Sequence, residues 1–143
     1  MIAIIRIRGQ VDIDRDVEET LNRLRIRKKY ACVVIREKPE YLGMLHKVEN
    51  FVAYGNIDKE TFKELVEKRG QPIKKLLKGK IDNEKIVKEF FEGKSEKSWE
   101  EFGIKPFFRL HPARGGIKTK LHYPKGVLGN NKLDINKLIM RML

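Results

Sequence analysis

The sequence is poor in the residues on which disulfide-bonded domains, zinc sites and membrane spans depend. Of its 143 residues, one is cysteine and one is tryptophan. A single cysteine, Cys32, cannot close an internal disulfide or build a zinc site from paired cysteines. No run approaches the roughly 18 apolar residues of a membrane helix. Residues 1–8 lack a basic stretch followed by a long apolar core, so we expect no signal peptide, no membrane partner and a cytoplasmic protein.

Acidic residues are almost absent from the last 39 residues. The whole chain carries 32 Lys and Arg against 20 Asp and Glu, a formal charge of +12. Residues 105–143 hold nine basic side chains and one acidic one, Asp134, which places two thirds of the excess charge there. Residues 107–131 contain no Asp or Glu, and their Pro and Gly residues interrupt regular structure. Because cations without nearby carboxylates repel one another, we expect an extended segment that pairs with a polyanion.

The groupings of side chains that support catalysis are missing as well. A metal-dependent nuclease needs several carboxylates that converge on an ion, and no acidic pair here has a distinctive spacing. Cys32 lies within an apolar stretch, which indicates a small buried side chain rather than a nucleophile. The chain has no Walker loop, dinucleotide-binding glycine motif or nucleophile elbow, and its three histidines are widely scattered. We therefore predict no enzymatic activity, cofactor, metal or small-molecule substrate.

Apolar periodicity predicts an α+β fold in the first part of the chain. β-Branched residues predict strands over residues 2–8, 30–36 and 51–56. Helical spacing predicts a helix over 15–26 and another that begins at Pro39. Residues 1–56 thus form a β-α-β-α-β core, with the helices on one face of a small three-stranded sheet.

The rest of the chain divides into two segments. Residues 57–104 form a helical extension with predicted helices over 59–69 and 83–92. Residues 105–143 form a basic segment in which residues 107–110 can add a short strand and residues 133–142 can form a closing helix. We expect the three segments to make one structural domain.

The basic segment carries the main candidates for contact with a nucleic acid. Arginine can fork onto a phosphate, and the two glycines after Arg114 let the backbone approach a ligand closely. Histidine rings can stack on unpaired bases. The alternative is a solvated surface loop without a ligand. The candidates are Arg109, His111, Arg114, Gly115, Gly116, Lys118, Lys120, His122, Lys125 and Lys132.

A second cluster follows the first helix. Its five cations are Arg23, Arg25, Arg27, Lys28 and Lys29. Cations at a helix end complement the helix dipole, although one or two suffice for that role. The sequence leaves both interpretations open here, dipole complementation and binding of a nucleic acid.

Three segments carry a resemblance to a known family. They are the opening Ile-Ile-Arg-Ile-Arg-Gly of residues 4–9, Tyr-Leu-Gly-Met-Leu-His-Lys-Val of residues 41–48, and Arg-Leu-His-Pro-Ala-Arg-Gly-Gly of residues 109–116. Together they resemble the archaeal and eukaryotic form of a large-subunit ribosomal protein, called L-thirty in bacteria and L-seven in eukaryotes. The resemblance covers essentially the whole chain, and residues 1–56 are similar to the short bacterial form.

The resemblance implies an antiparallel, ferredoxin-like sheet and a place in the cytoplasmic ribosome. It implies binding to large-subunit ribosomal RNA, proximity to 5S RNA, contact with neighbouring large-subunit proteins, and no enzymatic activity. It implies RNA contacts for Arg114, Gly115 and Gly116, and also for His46 and Lys47. The alternatives are an RNA-processing enzyme and a general nucleic-acid chaperone.

Overall fold

The computed structural model describes residues 1–73, 83–91, 99, 102–117 and 119–143, and the predicted core is present. The order of elements in residues 1–56 is β-α-β-α-β, as predicted. The bounds are β1 Ile2–Arg6, α1 Arg15–Arg23, β2 Ala31–Ile35, α2 Pro39–Val48, β3 Val52–Asn56, α3 Lys59–Arg69, α4 Asn83–Phe91, β4 Phe108–Arg109, β5 Gly129–Asn130, a 3-10 turn Lys132–Asp134, and α5 Ile135–Met142.

The predicted α+β class is confirmed, but the sheet has five strands in the order β4-β2-β1-β3-β5, so the predicted count of three is wrong. The three central strands and β4 are antiparallel, whereas β5 runs parallel to β3. Arg109 pairs with Ala31 at one edge, and Gly129 pairs with Ala53 at the other. Each added strand is two residues long and too short to show a strand periodicity, and only the first coincides with the predicted short strand over 107–110.

Helices cover both faces of the sheet. Ile2 and Ile4 of β1 pack with α1 and α2 on one face, as predicted. Ala3 and Ile5 pack on the other face with α3, α4 and α5. Every residue of β1 is therefore buried, including the charged Arg6. Among the described helices, none combines the length and the apolar character that crossing a bilayer requires.

Aromatic rings fill the face that α3 and α4 cover. The ring centroids of Phe90 and Trp99 lie 4.0 Å apart in a stacked pair. Phe62 contacts both rings, and Trp99 meets Phe108 of β4 edge-on at 5.5 Å. This cluster joins the helical extension to the strand that the basic segment contributes.

The basic segment is packed against the domain, which corrects the expectation of an extended tail. The amides of His111 and Arg114 donate hydrogen bonds to carbonyls of α5 at 2.9 Å each. Leu110, Ala113 and Leu128 are buried in the core. Charge repulsion argued for extension, but these apolar side chains and backbone hydrogen bonds hold the segment in place.

Candidate nucleic-acid interface

Loops from distant parts of the chain meet at one end of the sheet. β1 finishes at this end, whereas its antiparallel neighbours β2 and β3 begin there. The amide of Tyr30 donates to the carbonyl of Arg6 at 2.8 Å, and the amide of Leu110 donates to the carbonyl of Tyr30 at 3.0 Å. The amide of Ile7 donates to the carbonyl of Phe51 at 2.9 Å. We call this end of the sheet the basic end.

A cavity at the basic end unites the two predicted cationic clusters. Its volume is about 550 Å³, and it lies between the α1–β2 loop and β4. We call it the basic groove, and its lining residues are Arg25, Arg27, Lys28, Lys29, Tyr30, Ala31, Pro106, Phe107, Arg109 and Leu110. Four cations of the first cluster thus share one surface with Arg109 of the basic segment. Arg23, the fifth, is not in the lining and pairs with Glu19 at 2.5 Å.

A second, smaller cavity adjoins the basic groove. It has a volume of about 260 Å³ and shares Arg109 and Leu110 with the groove. His111, Lys68 and Arg69 also line it. The guanidinium of Arg69 donates to the backbone oxygen of Leu143 at 2.6 Å. The C-terminal end of α3 therefore extends the cationic surface beyond the groove.

A buried arginine shapes the loop that carries the first cluster. Arg6 has 1% of its surface exposed, and burial lowers the pKa of its guanidinium. It donates to the carbonyls of Ile26 at 3.2 Å and Arg27 at 2.5 Å. It also donates to the carbonyls of Arg8 at 3.0 Å and Gly9 at 2.9 Å. Arg6 therefore fixes the α1–β2 loop from below and is a positioning residue for the groove.

The Arg-Gly-Gly motif forms a tight turn held by a side chain of α5. Gly115 and Gly116 have φ angles of 75° and 70°, which glycine adopts without steric cost. The guanidinium of Arg141 donates to the carbonyl of Arg114 at 2.8 and 3.0 Å and to that of Gly116 at 2.6 Å. The glycines thus serve the geometry of the turn, and the exposed side chain of Arg114 remains available to a ligand.

The rest of the basic segment reaches the basic end through a second turn. His122 Nε2 lies 2.7 Å from the Oδ1 atom of Asn50, just beyond α2. Arg8 donates to the carbonyl of Lys120 at 3.3 Å, and the hydroxyl of Thr119 donates to the carbonyl of Lys125 at 2.8 Å. The candidates of this turn therefore lie near the last turn of α2.

That last turn carries His46 and Lys47, and both side chains are exposed. Each faces a carboxylate, with Lys47 Nζ 3.4 Å from Asp16 and His46 Nδ1 3.8 Å from Glu49. Surface pairs at such distances are weak and readily exchanged for other anions. The structure thus brings both residues to the basic end without leaving them unpaired.

Arg23 and Lys132 are the candidates that the described structure does not bring to this surface. The backbone carbonyl of Lys132 packs against Gly55, near the end of β3, so Lys132 lies at the opposite end of the sheet. Lys118 lies outside the described residues.

Most of the other cations at this surface have no ion pair with a described carboxylate. Over the ranges that the structure describes, seven of them have no carboxylate within ion-pair distance: Arg27, Lys28, Lys29, Arg109, Arg114, Lys120 and Lys125. Had these side chains been paired with the chain's own carboxylates, a ligand of negative charge would not be needed. Their repulsion is relieved when a polyanion binds.

Several functional residues were missed by sequence reasoning. Arg6 and Arg8 stand at the end of an apolar strand, and the strand pattern does not show whether they lie on a face or at an edge of the sheet. Arg141 and Arg69 lie on helices whose pattern is that of ordinary amphipathic helices, so no local signal distinguishes them. Phe107 gains its position from pairing of β4 with β2, which the sequence does not specify.

The described side chains show no arrangement that would support catalysis. Cys32 is fully buried, and desolvation raises the pKa of its thiol to about 12. In the described part of the chain, no three His, Cys, Asp or Glu side chains are arranged to hold a metal ion.

Comparison with known proteins finds matches over the whole chain. Residues 2–52 match the model of the family described as "Ribosomal protein L30p/L7e". "Large ribosomal subunit protein uL30" of Archaeoglobus fulgidus is 42% identical, with 99% of each chain covered. The proteins of the same name from Hyperthermus butylicus and Methanococcus vannielii are 39% and 38% identical, and the alignments cover 100% and 99% of this chain and 90% and 98% of theirs.

Proposed function

Since the chain belongs to the ribosomal protein L30p/L7e family, it is a non-enzymatic component of the large ribosomal subunit, and we propose that its basic end binds ribosomal RNA. The observation that carries this proposal is the meeting of cations from the α1–β2 loop and from the basic segment, seven of which have no carboxylate within ion-pair distance among the described residues. The residues proposed to contact RNA are Arg25, Arg27, Lys28, Lys29, His46, Lys47, Arg109, His111, Arg114, Gly115, Gly116, Lys118, Lys120, His122 and Lys125.

The mechanism follows from the rigidity of the surface. Each Lys or Arg that neutralises a phosphate releases counterions, and this release supplies most of the affinity. Because Arg6 and Arg141 hold the loops through backbone carbonyls, little ordering entropy is lost on binding. A rigid arrangement of cations recognises the shape of folded RNA rather than a base sequence. Arg23 and Lys132, which lie elsewhere, are expected to contribute little.

The test is the salt dependence of binding to a transcript of the host's large-subunit ribosomal RNA. A triple variant with Arg27, Lys29 and Arg109 changed to Gln is expected to bind more weakly and to lower the salt slope by about three. The control variant removes three cations of α3, α4 and α5 that do not line the groove, and it is expected to keep the salt slope of the unaltered protein. Its substitutions are Lys63→Gln, Lys88→Gln and Lys137→Gln. Equal behaviour of the two triple variants would refute the proposal.

A separate variant tests the basic segment. We expect Arg114, Lys118 and Lys120 changed to Ala to weaken binding to the same transcript. A general nucleic-acid chaperone would bind duplex DNA as well as the transcript, whereas this proposal expects a clear preference for the transcript. Unchanged affinity of the alanine variant would remove the basic segment from the interface.

We further propose that the protein lies near 5S RNA and contacts neighbouring large-subunit proteins in the cytoplasmic ribosome. The family resemblance of residues 41–48 and 109–116 supports this position. The test is crosslinking in a cell extract followed by sedimentation. Recovery of the chain with large subunits and of adducts to 5S RNA is expected, and adducts confined to other RNA would refute the 5S position.

A further inference from the structure

The basic groove contains two aromatic rings beside its cations. Tyr30 and Phe107 are both partly exposed, and they flank the edge of the sheet, since Tyr30 packs against the core on the α3, α4 and α5 side and Phe107 against the core on the α1 and α2 side. The ammonium of Lys29 lies 4.8 Å from the centroid of the Tyr30 ring. The guanidinium carbon of Arg109 lies 5.6 Å from the centroid of the Phe107 ring. Neutralising phosphates requires only the cations, so the two aromatic rings point to a ligand with an apolar, planar part.

The backbone of Tyr30 adopts a conformation that is unfavourable for its side chain. Its φ angle is 63°, in the left-handed region that glycine and asparagine enter more readily. Two hydrogen bonds hold it there, from its amide to the carbonyl of Arg6 and from the amide of Leu110 to its carbonyl. Strained residues of this kind concentrate at functional sites. Glycine would adopt this backbone conformation at lower cost, so the strain is the cost of placing the tyrosine ring in the groove.

The size of the groove fits one small organic group. Its volume of about 550 Å³ lies within the range of pockets that enclose a small ligand. Unpaired bases of RNA are commonly turned out of the helix and stacked on aromatic or guanidinium planes. The cations beside the rings, Arg27, Lys28, Lys29 and Arg109, are placed to meet the phosphates on either side of such a base.

We propose that the basic groove binds one unpaired nucleotide that is turned out of the large-subunit ribosomal RNA. The base stacks on Tyr30 and Phe107, and its flanking phosphates contact the cations at the rim. This inference rests on the proposed function and names the RNA feature that the surface recognises. An acidic peptide would satisfy the charges but would leave both rings without a stacking partner.

The test combines ring removal with the salt slope. A double variant, Tyr30→Leu with Phe107→Leu, is expected to bind the large-subunit RNA transcript roughly 5- to 150-fold more weakly, the range for loss of one stacked base. The salt slope is expected to stay the same, since no phosphate contact is removed. Tyr41→Leu, a partly buried ring outside the groove, is the matched control, and Tyr30→Phe is expected to keep full affinity.

Circular dichroism confirms that each variant is folded, and ultraviolet crosslinking gives a second measurement on the unaltered chain. Nucleotide adducts are expected on the peptides that contain Tyr30 and Phe107. If the double variant binds like Tyr41→Leu and the adducts lie elsewhere, the nucleotide site is refuted while RNA binding stands. A lowered salt slope in the double variant would also refute stacking, because the rings would then act only through their cations. If the unaltered protein fails to bind the transcript, the proposed function itself fails.

Discussion

The buried guanidinium of Arg6 allows a specific prediction, because among the described residues it supports the α1–β2 loop through backbone carbonyls and not through an ion pair. Arg6→Met keeps the length and apolar volume of the stem but removes four donated hydrogen bonds. Met also removes a buried charge, and relief of its desolvation favours the variant. The carbonyl acceptors remain, however, and an acceptor left unpaired in the interior costs about 1–3 kcal/mol.

The net change in the free energy of unfolding depends on how many of these carbonyl acceptors lose their partner in the interior. The bond to Ile26 is buried, whereas those to Arg8, Gly9 and Arg27 are partly buried and can be replaced by water. A hydrogen bond from a charged donor contributes about 1.5–3 kcal/mol. Counting the buried bond fully and the others only in part, we expect Arg6→Met to lower the free energy of unfolding by about 2–4 kcal/mol.

Urea unfolding followed by circular dichroism measures this change. Arg8→Met is the control, because Arg8 is exposed and makes one long hydrogen bond at 3.3 Å. Its free energy of unfolding is expected to change by less than about 0.5 kcal/mol. A loss below about 1 kcal/mol for Arg6→Met would contradict the view that this guanidinium supports the loop.

Three further predictions concern separate sites. Gly115→Ala forces alanine to a φ of 75° and is expected to lower the free energy of unfolding by about 1 kcal/mol. Gly43→Ala, within α2 at a position where an added Cβ meets no other atom, is expected to raise the free energy of unfolding by about 0.5–1 kcal/mol. Thermal unfolding of both variants checks the opposite signs. Cys32, whose thiol pKa is raised to about 12 by burial, is expected to stay unmodified by a thiol reagent at pH 8 until urea unfolds the chain, and rapid modification of the native protein would contradict this. The hydrogen bond from Lys137 lowers the pKa of Asp134. The ionised carboxylate therefore stabilises the fold above the usual carboxyl pKa, and this contribution is lost as the pH falls through the lowered value. Asp134→Asn is expected to reduce the loss of stability on acidification, measured by unfolding between pH 2 and 6.

The helices and central strands were predictable because their signals are local. The predicted helix over 59–69 has the observed bounds, and Pro39 begins α2 as expected. The predicted ends of β1 and α1 extend too far. β1 ends at Arg6 because this side chain turns back to bind the carbonyls of Arg8 and Gly9, a contact that no periodicity reveals.

The two edge strands and the groove depend on contacts between distant residues. β4 and β5 have two residues each, and their pairing with Ala31 and Ala53 comes from the tertiary fold. Composition therefore located the two cationic clusters but did not show which of their side chains share a surface. Tyr30 and Phe107, 77 positions apart, line one groove only because β4 joins β2.

The position of β4 and β5 has a consequence for synthesis of the protein. When only residues 1–56 have left the ribosome, β2 and β3 both present unpaired edges, and one face of the sheet has no helices over it. Exposed edges of this kind pair readily with other chains and lead to aggregation. Because the strands that close both edges come from residues 105–143, a nascent chain is protected only when its translation is nearly complete. Premature truncation is therefore expected to yield fragments that are less soluble than the full chain.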